Sequence, residues 1–428
     1  MMPSNARDGL AWDDRGLDLK PVWTREPSLE AIAKVCREKL RIDEAGTCKV
    51  LFHAKGGFNK IYLVHTSQQQ WIMRVSLPVC PRNKTQGEVT TLQFLRHKTT
   101  VPVPGVVAFD DSAENEIGFE WILMEFMPGE SAYKRWRTLA MPQKIALVRQ
   151  VAEFQAQIFR HEFSEIGTLV GGKGESNQEE RPGEVISNMF FWGSHYDYDV
   201  TRGPFRSSHD WLAAYLEFIT QGQIEALGEA EDEEDEEDIN FAMVLARRLI
   251  SLLPKIFPTL ETLPERMVIW HDDLSLSNIL VDDEGKITAV IDWECVSAMP
   301  RWLVTQVPRF LEGQAREKEP ERQDYADEAP EDEKDNELDN EGKNELYWIH
   351  LMEYEQTQLR RVYHERMSQL QPDWDATAKQ STLKEDFFNA VNVIRDGFFL
   401  KRTAKWIDAV ERGECPRLMD ILEEGLRL

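Results

Sequence analysis

The stretch from Val268 to Ala298 reads VIWHDDLSLSNILVDDEGKITAVIDWECVSA, and its residue types and order carry a specific chemistry. An apolar lead-in ends at His271, and a loop then brings Asp272, Asp273, Ser275 and Ser277 before ending at Asn278. Ile279 to Val281 and Lys286 to Ile291 have the composition of two strands around Asp282-Asp283-Glu284-Gly285, a strong turn signal. In such a hairpin Asn278 stands just before the first strand and Asp292 just after the second, so both occupy its open end. The loop bearing Asp273 is attached at that same end. Oxygen-only ligands of this kind suit a hard cation such as Mg²⁺, which binds through one or two carboxylates, waters and substrate phosphates. A second carboxylate nearby can orient a hydroxyl and accept its proton, and together these are the parts of phosphoryl transfer.

The neighbouring residues have plainer roles. Asp282 and Asp283 lie at the far end of the hairpin and read as turn formers, and Asp272 reads as facing solvent. Glu294 is balanced between a place beside the metal and a structural one, and Cys295 reads as packing.

The order His271-x-Asp273-x4-Asn278, followed by Ile291-Asp292-Trp293-Glu294, resembles the catalytic loop and metal-binding segment of the aminoglycoside phosphotransferase family. The flanking residues resemble the fungal members of that broad group, which extends to choline and homoserine kinases. The resemblance implies a protein-kinase-like fold, ATP as phosphoryl donor, Asp273 as the catalytic base, and Asn278 and Asp292 as Mg²⁺ ligands. It makes His271 a brace for the loop.

Such a fold requires further parts upstream. A phosphate-covering turn is available at Lys55-Gly56-Gly57-Phe58-Asn59, where glycines let backbone N–H groups approach an anion, although hairpins use Gly-Gly for other reasons. Arg74 alternates away from Met73 and Val75 on a strand and can act as the phosphate cation, where protein kinases have lysine. The plainer alternative is a charged residue blunting a sheet edge. Glu88 follows on a predicted helix and can pair with Arg74. Trp121 to Gly129 resembles the strand and hinge that hold adenine, with backbone groups from Glu125 to Met127 as its partners.

At the level of whole elements the pattern is α+β and bilobal: a small β-rich N-lobe over residues 28–126 and a larger, mainly helical C-lobe over 127–428. Residues 1–27 read as an N-terminal tail. Helices are expected at Pro27 to Leu40, Thr85 to His97, Gln143 to Phe159, Asp210 to Leu227, Phe241 to Leu253, Leu346 to Leu370 and Leu383 to Glu411. Ser207 and Ser208 mark a helix start, which gives His209-Asp210 a capping rather than a catalytic reading. Two acidic tracts, Glu229 to Asp238 and Gly313 to Glu345, read as solvated flexible insertions, with docking of a basic protein partner as the sharper alternative.

The formal charge of -26 over 428 residues argues against nucleic acid and anionic membranes as partners. Five scattered cysteines, no signal-peptide pattern and no long apolar run point to a reduced, cytoplasmic setting. The expected acceptor is a hydroxyl on a small molecule, and an acidic protein would suit a cationic amine. Two rivals are a pseudokinase that binds nucleotide without turnover and a protein kinase. The second is disfavoured because Ile-Asp-Trp replaces Asp-Phe-Gly and no Ala-Pro-Glu follows.

Overall fold

A computed structural model describes residues 7–16, 19–171, 179–230, 232–258, 265–328 and 340–424. The chain begins with β1 (Leu10–Asp13) and β2 (Lys20–Trp23), followed by α1 (Leu29–Lys39), β3 (Cys48–Lys55), β4 (Asn59–Thr66) and β5 (Gln70–Ser76). Then come α2 (Asn83–Lys98), β6 (Val106–Asp110) and β7 (Glu120–Glu125). Strands β3 to β7 form one antiparallel sheet in the order β3-β4-β5-β7-β6. Strand alternation gives this sheet two distinct faces. Tyr62, Val64, Met73, Val75, Trp121 and Leu123 face Ile32, Val35 and Cys36 of α1 and close one core. Arg74, in register with Ile61 and Ile122, belongs to the opposite face, where α2 packs. Because β5 lies in the middle of the sheet, Arg74 is no edge-strand charge: it is buried.

The second part opens with β8 (Glu130–Ser131), α3 (Ala132–Arg135) and α4 (Met141–Ile158), then β9 (Gly167–Val170), β10 (Arg181–Pro182) and α5 (Asn188–Phe191). Helices α6 (Ser208–Glu229) and α7 (Glu233–Ile256) precede β11 (Met267–Trp270), β12 (Ile279–Val281), β13 (Ile287–Val290) and β14 (Ser297–Pro300). The chain closes with α8 (Glu345–Leu370), α9 (Trp374–Asp396), α10 (Leu400–Glu411) and α11 (Leu418–Leu422). The hairpin expected around Asp282 is β12–β13, with β8 as its third strand. β11 and β14, which flank it in sequence, pair with each other and anchor both of its ends. The helices pack on this platform in one large core that includes Leu147, Trp211, Leu249, Tyr363, Phe387 and Trp406.

Three expectations are corrected. Residues 7–27 are not a tail: β1 and β2 form an antiparallel hairpin that touches both lobes. Trp23 packs on Phe119 and beneath the Lys60 ammonium, while Trp12 packs on Trp192, and Arg7 donates to the carbonyls of Phe191 and Gly193. Most of the acidic run near 229–238 is not an insertion: Glu229 ends α6, residue 231 lies outside the described residues, and Glu233 to Asp238 form the first turns of α7. Asp232 caps it by accepting from the Asp235 N–H at 2.9 Å, and Glu233 to Glu236 lie where the helix dipole favours anions. The expected helix from Leu383 to Glu411 is two helices, because Gly397 (φ 76°) ends α9 in a left-handed conformation.

The second acidic tract is only partly describable, since 329–339 lie outside the described residues. Its flanks are seated on α8: Arg316 pairs with Glu353 at 2.9 Å, and Asn340 is buried and accepts from Arg137. The place of the first tract in α7 has a direct test. Asp232→Ala should lower stability by about 1 kcal/mol in urea unfolding, whereas in an unstructured insertion it would cost nothing.

Candidate active site

The open end of the β12–β13 hairpin brings the expected residues together. Asn278 ends a short 3-10 turn, and its backbone carbonyl accepts from the Ile291 N–H at 2.9 Å, which ties the two strands at that end. The Asn278 side chain donates from Nδ2 to the Asp273 carbonyl (2.9 Å) and to Asp273 Oδ2 (3.2 Å). His271 Nε2 sits 3.2 Å from the Ile291 carbonyl and its ring packs on Trp293, so the histidine braces the loop as expected. Asp282 accepts from the N–H groups of Glu284 and Lys286 at the far turn, away from the chemistry.

Asp292 leaves β13 with φ 64°, and Cys295 follows at φ 59°. Such left-handed backbone costs a non-glycine residue on the order of 1 kcal/mol, and here it turns the Asp292–Glu294 segment toward the N-lobe. Arg74 meets it there. Its Nη1 lies 2.7 Å from Glu88 Oε1, and its Nη2 lies 2.9 Å from Asp292 Oδ1 and 2.7 Å from Glu294 Oε2. The pairing of Arg74 with Glu88 was legible in sequence order; the approach of Asp292 and the share taken by Glu294 were not.

Lys84 was missed altogether. It is buried at the start of α2, and its ammonium lies 2.5 Å from Glu294 Oε2 and 3.2 Å from Asn59 Oδ1. One signal could have found it: Lys84 precedes Glu88 by four residues and therefore shares its helix face. Asn59 donates to Glu294 at 2.9 Å and accepts from the Ser76 hydroxyl at 2.8 Å. The Gly56-Gly57 turn is thus wired to the Asp292–Glu294 segment through Asn59 and Glu294.

The electrostatics arise from that sharing. Burial opposes the charge on Glu294, but Arg74 and Lys84 outweigh it and hold the carboxyl below its usual range. Burial pushes Glu88 the opposite way, above the usual carboxylate range, against the pull of Arg74. Glu88 Oε2 is buried without a hydrogen-bond partner, which fits a carboxyl that retains its proton easily. Arg74 and Lys84 both stay charged, since their acids overcome the cost of burial.

The remaining expected residues sort by atom. Gly56 and Gly57 have open space around them: a side chain at Gly57 would meet nothing within 4 Å. Phe58 does not cover the cleft with its ring, which is buried among Leu77, Val79, Ile186 and Phe191 because an apolar pocket there outcompetes solvent. Glu125 is committed through its N–H to the Gly105 carbonyl and through its side chain to Arg96. Met127 lies half-buried two residues beyond it. Arg309 Nη1 lies 2.7 Å from Asp273 Oδ1, and both groups are about half exposed. No sequence spacing points to Arg309, which arrives from a separate turn after β14.

The donor set fits a hard divalent ion. With Nδ2 committed to Asp273, Asn278 has its carboxamide oxygen to offer, and Asp292 keeps Oδ2 beyond its contact with Arg74. The unequal acids make a prediction about stability. Glu294→Gln removes the anion two buried cations share and should cost about 3 kcal/mol or more. Glu88→Gln replaces a carboxyl already biased toward neutrality and should cost about 1 kcal/mol. Urea unfolding of both variants at pH 7 gives the comparison, and equal losses would contradict the unequal sharing.

Comparisons with known proteins identify the family of the chain. The family model described as APH, phosphotransferase enzyme family, matches residues 49–303, from β3 to just past β14. A subtelomeric hrmA-associated cluster protein of Aspergillus fumigatus is 29% identical over 301 residues, covering 60% of this chain and 59% of its own. The mitochondrial protein called altered inheritance of mitochondria protein 9, from Eremothecium gossypii, is 22% identical over 312 residues, covering 61% of this chain and 50% of its own. This chain therefore spans little more than half the length of those relatives. Among solved structures, aminoglycoside phosphotransferase APH(4)-Ia aligns with a TM-score of 0.46 at 16% identity, over 93% of this chain and 99% of that one. The streptomycin–ATP complex of APH(2'')-IIa aligns with a TM-score of 0.46 at 14% identity, over 91% and 98%. With its family segment running from β3 through the Asp273, Asn278 and Asp292 cluster, the chain belongs to the APH phosphotransferase enzyme family and has that family's kinase-like α+β fold.

Proposed function

We propose that the protein transfers the γ-phosphoryl group of ATP to a hydroxyl on a small molecule. The observation that carries this reading is the meeting of Asp273, Asn278 and Asp292 at one hairpin end, opposite Arg74 and the phosphate turn. In this reading the adenine lies against the cleft face of the sheet, where Leu63 and Ile72 are partly exposed and in register with each other, beside Met124. Met127 and the carbonyl of Glu125 supply its backbone partners. Backbone groups of Gly56 to Asn59 and the guanidinium of Arg74 hold the phosphates, with Glu88 fixing Arg74.

Asn278 and Asp292 would hold Mg²⁺, which when bound would supply positive charge against the negative charge that develops in phosphoryl transfer. Asp273 orients the acceptor hydroxyl and accepts its proton as the phosphoryl group leaves ADP. Asn278 fixes the Asp273 carboxylate at Oδ2, and Arg309 offsets its charge at Oδ1. Arg309 also places a positive group beside the reacting hydroxyl, so an amine on the acceptor is best accommodated farther off. Positioning and electrostatics account for most of the catalysis in this class.

The test is a screen of hydroxylated metabolites for ATP-dependent phosphate gain by mass spectrometry, with thermal shift reporting Mg-ATP binding. Asp273→Asn should reduce turnover by on the order of 10²–10⁴-fold while leaving the Mg-ATP shift in place. Asp292→Ala should abolish both. A wild-type chain that binds no Mg-ATP would remove the enzymatic reading, and one that binds it but phosphorylates nothing would favour a nucleotide-dependent binding protein.

A further inference from the structure

We infer that a cavity among the C-lobe helices binds an uncharged small molecule with an apolar body and an amide-like edge, a hydrogen-bond donor and an acceptor side by side. This goes beyond the phosphotransfer reading, since Asp273, Asn278 and Asp292 take no part in the cavity's lining. The cavity lies between α6, α7 and the turn from α9 to α10 and has a volume of about 290 Å³, at the small end of ligand pockets.

The site grows out of one face of α6. Ile219, Gly222, Gln223 and Ala226 recur at spacings of three and four residues and so share that face. Two of them are small, and glycine inside a helix is intrinsically unfavourable, so α6 leaves this space open where a core helix would fill it. Phe218 and Ile219, with Ala242, Ile394 and Leu400, supply buried apolar walls.

Gln223 supplies what an apolar wall does not need. Its Nε2 and Oε1 are both buried, and among the described residues neither has a hydrogen-bond partner. Leucine would occupy the same place without burying polar atoms, so the carboxamide is costly unless an occupant of the cavity pairs with it. Pairing both atoms takes a donor for Oε1 beside an acceptor for Nε2, which is the edge of a primary amide or a lactam.

His195 adds a second polar group. Its Nδ1 lies 2.9 Å from the Met189 carbonyl, which can only accept, so Nδ1 carries the proton and Nε2 keeps its lone pair in the neutral ring that burial favours. A Cβ at Gly222 would lie 3.9 Å from Nε2, which puts this acceptor at the α6 wall, in reach of a further N–H on the occupant. A carboxylate would suit the site poorly. It has no proton to give to Gln223 Oε1 or His195 Nε2, and Asp238 stands on the lining. Arg395, also on the lining, is already engaged by the Tyr215 hydroxyl and by Asp396.

The rim fits the apolar body. Gly397 and Leu400 line the cavity, and between them Phe398 and Phe399 are 72% and 52% exposed. Phenyl rings left in water beside an apolar cavity gain by covering an apolar occupant.

The experiment titrates benzamide, benzoate and toluene into the full chain and reads their affinities by ligand-observed NMR. Benzamide should bind at least about tenfold more tightly than toluene, which lacks the polar edge, and than benzoate, which lacks the donor. Gln223→Leu should erase the preference over toluene and melt no lower than the wild type, because it removes a polar group that no protein partner holds. Ala226→Trp changes an exposed residue of the lining and should weaken benzamide and toluene alike.

Benzamide that binds no more tightly than toluene, or a preference that survives in Gln223→Leu, overturns the inference. Unchanged benzamide affinity in Ala226→Trp does the same. So does displacement of benzamide by Mg-ATP, which would put the probe in the cleft between the lobes.

Discussion

One buried guanidinium holds this structure's working parts in relation to each other. Arg74 comes from the central strand of the N-lobe sheet, Glu88 from the helix behind it, and Asp292 and Glu294 from the C-lobe hairpin. A buried ion pair gives little net stability, since desolvation consumes most of the Coulomb gain. What it gives here is register. Each of the three acids is costly to bury alone, so the cluster is satisfied only when sheet, helix and hairpin are in place together. The strained backbone at Asp292 and Cys295 is tolerated within that arrangement.

The same cluster explains why acids of one type behave differently. Glu294 touches two cations and is held ionised, whereas Glu88 touches one and keeps an unpartnered oxygen. Carboxyls only a few ångströms from a shared arginine are thereby pushed in opposite directions. Asp273 stands nearer the surface, about half exposed, beside an exposed arginine. A single site thus contains a deep, dry charge cluster that orders the lobes and a wet carboxylate beside it.

Local rules made much of this legible. The turn at Asp282 to Gly285 fixes the hairpin, and the hairpin alone brings Asn278 and Asp292 to one end, so that part of the site needed no tertiary information. The alternation of Met73, Arg74 and Val75 gave the arginine its face. What stayed hidden depends on contacts that sequence spacing does not encode. Arg309 reaches Asp273 across 36 residues from an irregular turn, and Phe58 turns its ring into a pocket built by residues from distant segments. The first acidic run misled for a compositional reason: Glu233 to Glu236 look unable to form a core, yet helix starts favour that charge irrespective of burial.

The amino-terminal hairpin alters how the cleft can move. A kinase-like molecule whose lobes met only at residues 126–129 could open as a simple pivot. Here β1 and β2 lay Trp23 on the N-lobe and Trp12 on the α5 segment of the C-lobe, giving the lobes a second tether. Two tethers restrict rotation about either one and favour sliding of packed faces over swinging. The α5 segment that receives Trp12 also holds Phe58 through Phe191 and Trp192, so such a slide would carry the Gly56-Gly57 turn with it. Relative movement of the lobes would then be a shear along the seam between them, set by the hairpin's grip as much as by the hinge.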